Sequence, residues 1–156
     1  RAAGRAADTA ISWMTPPAYI QDQLLPAMTE GAVEADRPVP RLVTVVHAAL
    51  ARPSRNPYRL AYAAAGAHLG APHYTDMLRR AGVRVHAAQP HLGARALVDS
   101  GTFLYGTPGE IISGMAEYGR AGVDEIVLNL AGVSAEYGYP AAAEDLGEIL
   151  AVFHGS

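Results

Sequence analysis

The sequence predicts an α/β protein in which parallel strands alternate with helices. Short β-branched apolar runs recur along the chain, each followed by a stretch with helical spacing. From Phe103 to Leu130 a strand, a capped helix and a second strand follow in direct succession, which is a βαβ unit and implies a parallel sheet. The runs around Val43 and Ile126 are too continuously apolar for strands wet on one face; such strands belong inside parallel sheets, buried on both.

Arg1 to Asp8 reads as the tail of a helix and Ala10 to Trp13 as a short strand. Thr15-Pro16-Pro17 is a helix start, a capping residue followed by prolines in the first turn. Ile20, Leu24, Ala27, Met28 and Gly31 continue it as one apolar stripe to about Ala35, with Pro26 expected to kink the helix unless it breaks there. After a loop over 36–40, Arg41 to Ala49 is the strongest strand of the chain. Asn56-Pro57 opens an alanine-rich helix, Tyr58 to Leu69, that Gly70-Ala71-Pro72 ends. Tyr74 to Ala81 is a shorter helix closed by Gly82, 83–90 has no assignable element, and Gly93 to Asp99 is a short helix.

Phe103 to Tyr105 is the next strand. Thr107, Pro108 and Glu110 form a capping box with proline at its preferred place. Ile111, Met115, Tyr118 and Gly122 share one helical face and Gly122 stops the helix. Ile126-Val127-Leu128 is a strand buried on both faces, 131–140 a loop, and Glu144 to Phe153 a closing helix with Leu146, Ile149, Leu150 and Phe153 inward.

The 156 residues, half of them hydrophobic, suffice for a single domain (1–156) with a real core. The formal net charge of −3 and the absence of a basic stripe argue against nucleic acid as a partner. No run approaches the roughly 18 apolar residues of a membrane span. Cysteine is absent, which excludes disulfides and thiolate chemistry, and nothing resembles a signal peptide, so a cytoplasmic protein is expected. Four strands, each followed by a helix, fit either an open sheet or half of a (β/α)8 barrel, which takes about 250 residues.

Five segments, in order, resemble the C-terminal half of the bacterial-luciferase-like family of monooxygenases and F-420-dependent oxidoreductases. Ala3-Gly4-Arg5-Ala6-Ala7-Asp8 looks like the family's helix-to-strand passage Ala-Gly-x-x-Ala-Asp-Gly, with Thr9 in place of the last glycine. Leu24-Leu25-Pro26-Ala27 with Glu30-Gly31-Ala32 looks like its next helix. The stretch from Pro72 to Gly82 resembles a Pro-x-Tyr-x-x-Met-Leu segment of its deazaflavin branch. Gly106-Thr107-Pro108-Gly109-Glu110-Ile111 is similar to Gly-Thr-Pro-Glu-Glu-Val, and Ala121-Gly122-Val123-Asp124-Glu125 to the approach to the last barrel strand.

The resemblance implies the C-terminal half of a (β/α)8 TIM barrel, with helices on one outer face. It implies hydride transfer between coenzyme F-420, or alternatively FMN, and a small organic substrate. The usual catalytic acid or base would belong to the N-terminal half, so no catalytic residue is assigned in this chain. The family's loop after the first strand here lines the pocket, which makes Trp13, Met14 and Thr15 cofactor-binding candidates. Trp13 offers a flat face to a ring and the helix start offers free amides, although an indole packed under a loop fits equally well. Relatives that oxidise sugar phosphates carry a lysine in that loop. This chain contains no lysine, which disfavours a phosphorylated substrate.

Tyr74 and Met77 are substrate-wall candidates, with plain helix packing as the alternative. Asn129 reaches a ligand from the last strand or caps local backbone. His47 either points into the barrel mouth as a proton donor or is a hydrogen-bonded core histidine. The six histidines show no metal-ligand spacing, and no metal site is expected. The strands near Ala10 and Ile126 should each lack a neighbour, leaving Ile11 and Val127 facing water. That gap calls for the N-terminal half or a second copy in a homodimer. The rival reading is a non-catalytic half-barrel that serves as a folding or interaction module.

Overall fold

A computed structural model of the chain describes residues 1–155. The sheet is built around β2 (Arg41–Leu50), whose residues from Leu42 onward are all buried. Unbroken β-branched and aliphatic sequence suits such a place, because both faces of this strand meet other side chains. Its three partners are β1 (Thr9–Trp13), β3 (Phe103–Gly106) and β4 (Glu125–Asn129), and every pairing is parallel. A parallel sheet with alternating helices is the predicted fold class.

Strand order departs from simple succession. A run of βαβ units would place β3 between β2 and β4, yet β4 pairs with β2 directly. β1 and β4 both pair along Val43–Val45 and therefore occupy opposite edges of β2, while the four residues of β3 meet only His47–Leu50. His47 pairs both with Phe103 of β3 and with Asn129 of β4.

Adjacent residues of a strand face opposite ways, and the core divides accordingly. Leu42, Val46, Ala48 and Leu50 join Leu104, Ile20, Met28, Ile111, Tyr118 and Ile149 on one face. There lie α3 (Leu25–Glu34), with α1 (Ala2–Ala6) riding on it, α7 (Pro108–Arg120) and α9 (Tyr139–Gly155). Ala49 and Phe103 on the other face pack with Leu60, Ala65, Leu69, Leu78 and Leu97 of α4 (Pro57–Leu69), α5 (Pro72–Arg80) and α6 (Pro90–Asp99). Helices thus cover both faces near the carboxyl ends of the strands, which corrects the expectation of helices on one face only. The amino-terminal part of this second face stays open: Ile11 is 72% exposed and Val127 46%.

Local chemistry explains most boundaries. Asn56 Oδ1 accepts from the N–H groups of Tyr58 (3.0 Å) and Arg59 (3.2 Å) and caps α4, with Pro57 in the first turn. The capping box of α7 forms as expected, the Glu110 carboxylate accepting from Thr107 N–H at 2.7 Å. Hydrogen bonds from the Thr107 backbone and hydroxyl hold the Glu110 pKa below its usual range. Pro26 does not fall in the interior of an α-helix. A π-helical turn, Ile20–Leu24, separates α2 (Pro17–Tyr19) from α3, so proline falls in the first turn of α3, where its missing N–H costs nothing.

Three expectations fail for one reason, tertiary context. The region 131–140 is no loop: α8 (Ala131–Tyr137) lies there, and α9 begins at Tyr139 after Gly138 takes φ +86°. α8 is held by close contact with α4, where an added Cβ on Gly132 would overlap the Leu60 carbonyl oxygen. β4 is not buried on both faces, because the described residues leave Val127 46% exposed. Leu150 and Phe153 are likewise exposed rather than inward, at the rim of an apolar groove of about 400 Å³ beside β4.

Candidate functional site

Trp13 is the last residue of β1 and pairs with Val45, which puts its indole on the second face of the sheet, where the cover of α4 and α5 begins. One step along β2 on the same face stands His47. Their rings meet edge-on with centroids 5.5 Å apart. His68, in the last turn of α4, lies 5.6 Å from the indole, and Tyr74, in the first turn of α5, meets His68 edge-on at 5.1 Å. The break Gly70-Ala71-Pro72 makes this possible, turning α5 back so that residues from two helices reach one sheet position.

The cluster is apolar in packing and polar in content. Trp13 Nε1, both ring nitrogens of His47 and His68 Nδ1 are buried and, among the described residues, have no hydrogen-bond partner. His47 is only 3% exposed. Burial, and after it the charge of nearby His68, pushes the His47 pKa down to about 4, so the imidazole is neutral at pH 7. A neutral imidazole has one donor and one acceptor nitrogen, and here both are free. The hydrogen-bonded core histidine of the sequence reading is therefore not what the structure contains.

The other sequence-predicted residues spread more widely. Met14 follows Trp13 with φ +52°, a left-handed conformation that is strained for a non-glycine residue, and its side chain enters the core beneath the cluster. Thr15 is buried and its hydroxyl donates to the Trp13 carbonyl (3.2 Å), which ties down the loop. Tyr74 and Met77 are half-buried against the same core, Tyr74 within the aromatic cluster. Asn129 pairs with His47 across the sheet, and its Oδ1 accepts from Ala131 N–H at 2.8 Å, the capping role. Among the described residues no group of three or more His, Asp or Glu could hold a metal ion.

Sequence reasoning missed two features. His68 joins the cluster only through the chain reversal at Gly70, which spacing does not reveal. Asp145 is fully buried in α9, where its carboxylate accepts from Leu50 N–H (3.2 Å), Arg52 (3.3 Å) and Arg55. It sits four residues before the inward Ile149, so an acid on an apolar helical face was the available signal.

No protein-family model and no curated protein matches the sequence. Among solved structures the chain is similar to an F420-dependent secondary alcohol dehydrogenase in complex with an F420-acetone adduct, with a TM-score of 0.58 and 17% identity. The similarity covers 95% of this chain and 44% of that enzyme, so the chain spans less than half the length of the structure it matches. At that identity the likeness is one of fold, and it identifies the architecture as that of a half TIM barrel.

Proposed function

We propose that the chain belongs to a coenzyme F-420-dependent oxidoreductase that works in the cytoplasm and moves a hydride between the deazaflavin and a small organic substrate. FMN is the alternative coenzyme. The observation that carries this reading is Trp13: a partly buried flat ring at the carboxyl end of a parallel strand, where ligands of such sheets collect. The residues fit a ring cofactor. The indole supplies a stacking face at the end of β1. When bound, the coenzyme supplies the hydride chemistry and the protein supplies position and electrostatics. Trp13 and the strained Met14-Thr15 turn would orient it, with Tyr74, Met77 and Asn129 bordering the substrate.

The open face around Ile11 and Val127 is proposed to be covered by further β/α units of a complete barrel or by a second copy in a homodimer. That same open apolar face favours the rival reading, a non-catalytic interaction module. Equilibrium dialysis separates the two. Saturable uptake of coenzyme F-420 or FMN, weakened by Trp13→Ala, supports the oxidoreductase. A folded protein that takes up neither coenzyme is the module.

A further inference from the structure

Native interiors leave few polar atoms unpaired, so four unbonded ring nitrogens in one cluster call for an occupant. The polarity of these atoms defines it. Trp13 Nε1 can only donate; His47 can donate from one nitrogen and accept at the other; His68 Nδ1 does one or the other according to its tautomer.

Charge narrows the choice further. Lysine is absent from the chain. The arginines of the neighbouring elements are engaged elsewhere: Arg52 and Arg55 with Asp145, Arg59 with Glu136, Arg79 and Arg80 with Asp76. Among the described residues no charged side chain bonds to or stacks on the rings of Trp13, His47 or His68. A carboxylate or phosphate placed there would be a buried charge without a counter-charge, which the site would reject.

We propose that Trp13, His47 and His68 form a binding site for one uncharged oxygen, the hydroxyl or carbonyl of a small organic molecule, with His47 as its principal partner. A hydroxyl donates to the bare nitrogen of His47 while its oxygen accepts from the indole N–H. A carbonyl accepts from the N–H groups of both residues. The rings of Trp13, His68 and Tyr74 screen these nitrogens, so binding shifts the indole aside. The proposal rests on the reading above only in identifying this molecule with the substrate.

The test is nitrogen-15 NMR of the histidine rings in the coenzyme-free protein, with His47 assigned by its loss in His47→Phe. The uncharged probes are 2-propanol and acetone; acetate, which has the shape of acetone but carries a charge, and inorganic phosphate are the comparisons. The expected result is a saturable shift of the His47 nitrogens with both uncharged probes. At equal concentration acetate and phosphate should give a response at least tenfold weaker, and Trp13→Phe should weaken probe binding several-fold. The comparison among probes needs no variant, so a misfolded His47→Phe leaves it intact. An unshifted His47 in the folded protein would overturn the proposal, as would an equal response to acetate or a buried water that the probes do not displace. Because no coenzyme is present, failure here with coenzyme uptake intact strikes the oxygen site alone. Failure of uptake with the His47 response intact strikes the oxidoreductase reading alone.

Discussion

The carboxylate of Asp145 in α9 meets the guanidinium of Arg55 at the carboxyl end of β2, with both side chains buried. Arg55 also donates to the Leu50 carbonyl (3.0 Å), and Asp145 takes the Leu50 N–H, so this pair satisfies both backbone groups of the last residue of the hub strand. Around it the loop after β2 is pinned by Tyr105 and Tyr137, whose hydroxyls donate to the carbonyls of Arg55 (3.3 Å) and Ser54 (3.1 Å).

Breaking that pair leaves a buried charge. Asp145→Ala is expected to destabilise the fold by about 3–5 kcal/mol, as removal of one partner from a buried ion pair does. The double replacement Asp145→Leu with Arg55→Met removes both charges and should recover most of the loss. Urea unfolding of the two single variants and the double variant measures this. Equal loss in the double and the Asp145 variant would show that the hydrogen bond to Leu50, not the charge pair, dominates.

His47 makes stability depend on pH. Its folded pKa of about 4 lies below the ordinary value of 6.5, so between these values the unfolded chain binds the proton and the folded one does not. Stability is then full above pH 6.5 and falls as the pH drops towards 4, by roughly 3 kcal/mol if the whole shift is expressed. His47→Gln should flatten the unfolding profile over this window. A profile that stays steep in the variant assigns the acid sensitivity to other groups.

Thr107 caps α7 through its hydroxyl and backbone. Thr107→Ala is expected to cost about 1 kcal/mol in chemical unfolding and Thr107→Ser almost nothing, since serine keeps the accepting oxygen. No difference between the two variants would mean that the Glu110 side chain alone sustains the helix start.

Ile11 and Val127 present apolar surface on the uncovered part of the sheet. Ile11→Lys with Val127→Lys should preserve the melting temperature of the isolated chain, reduce hydrophobic-dye binding, and abolish self-association seen by light scattering. A wild-type chain that stays monomeric and binds no dye contradicts the proposal that this face is covered in the assembled protein.

Much of the architecture is legible in the sequence because it is local. The capping residues Asn56 and Thr107 stand beside their prolines, and the β-branched run of β2 needs no partner to declare itself. What is not legible depends on contacts between distant residues. α8 is helical because Gly132 lets it lie against Leu60, which nothing within residues 131–137 signals. Val127 reads as core from its neighbours and is exposed because no element reaches it. The site divides in the same way: Trp13 is visible as an aromatic residue at a strand end, whereas its pairing with His47 and His68 arises from sheet register and from the turn at Gly70.

The most direct test of the central claim is the emission of Trp13, the one tryptophan in the chain, during titration with coenzyme F-420. A coenzyme ring stacked at the carboxyl end of β1 predicts saturable quenching, matched by uptake of one coenzyme per site. Unchanged Trp13 emission in a folded protein that binds the coenzyme would contradict the account.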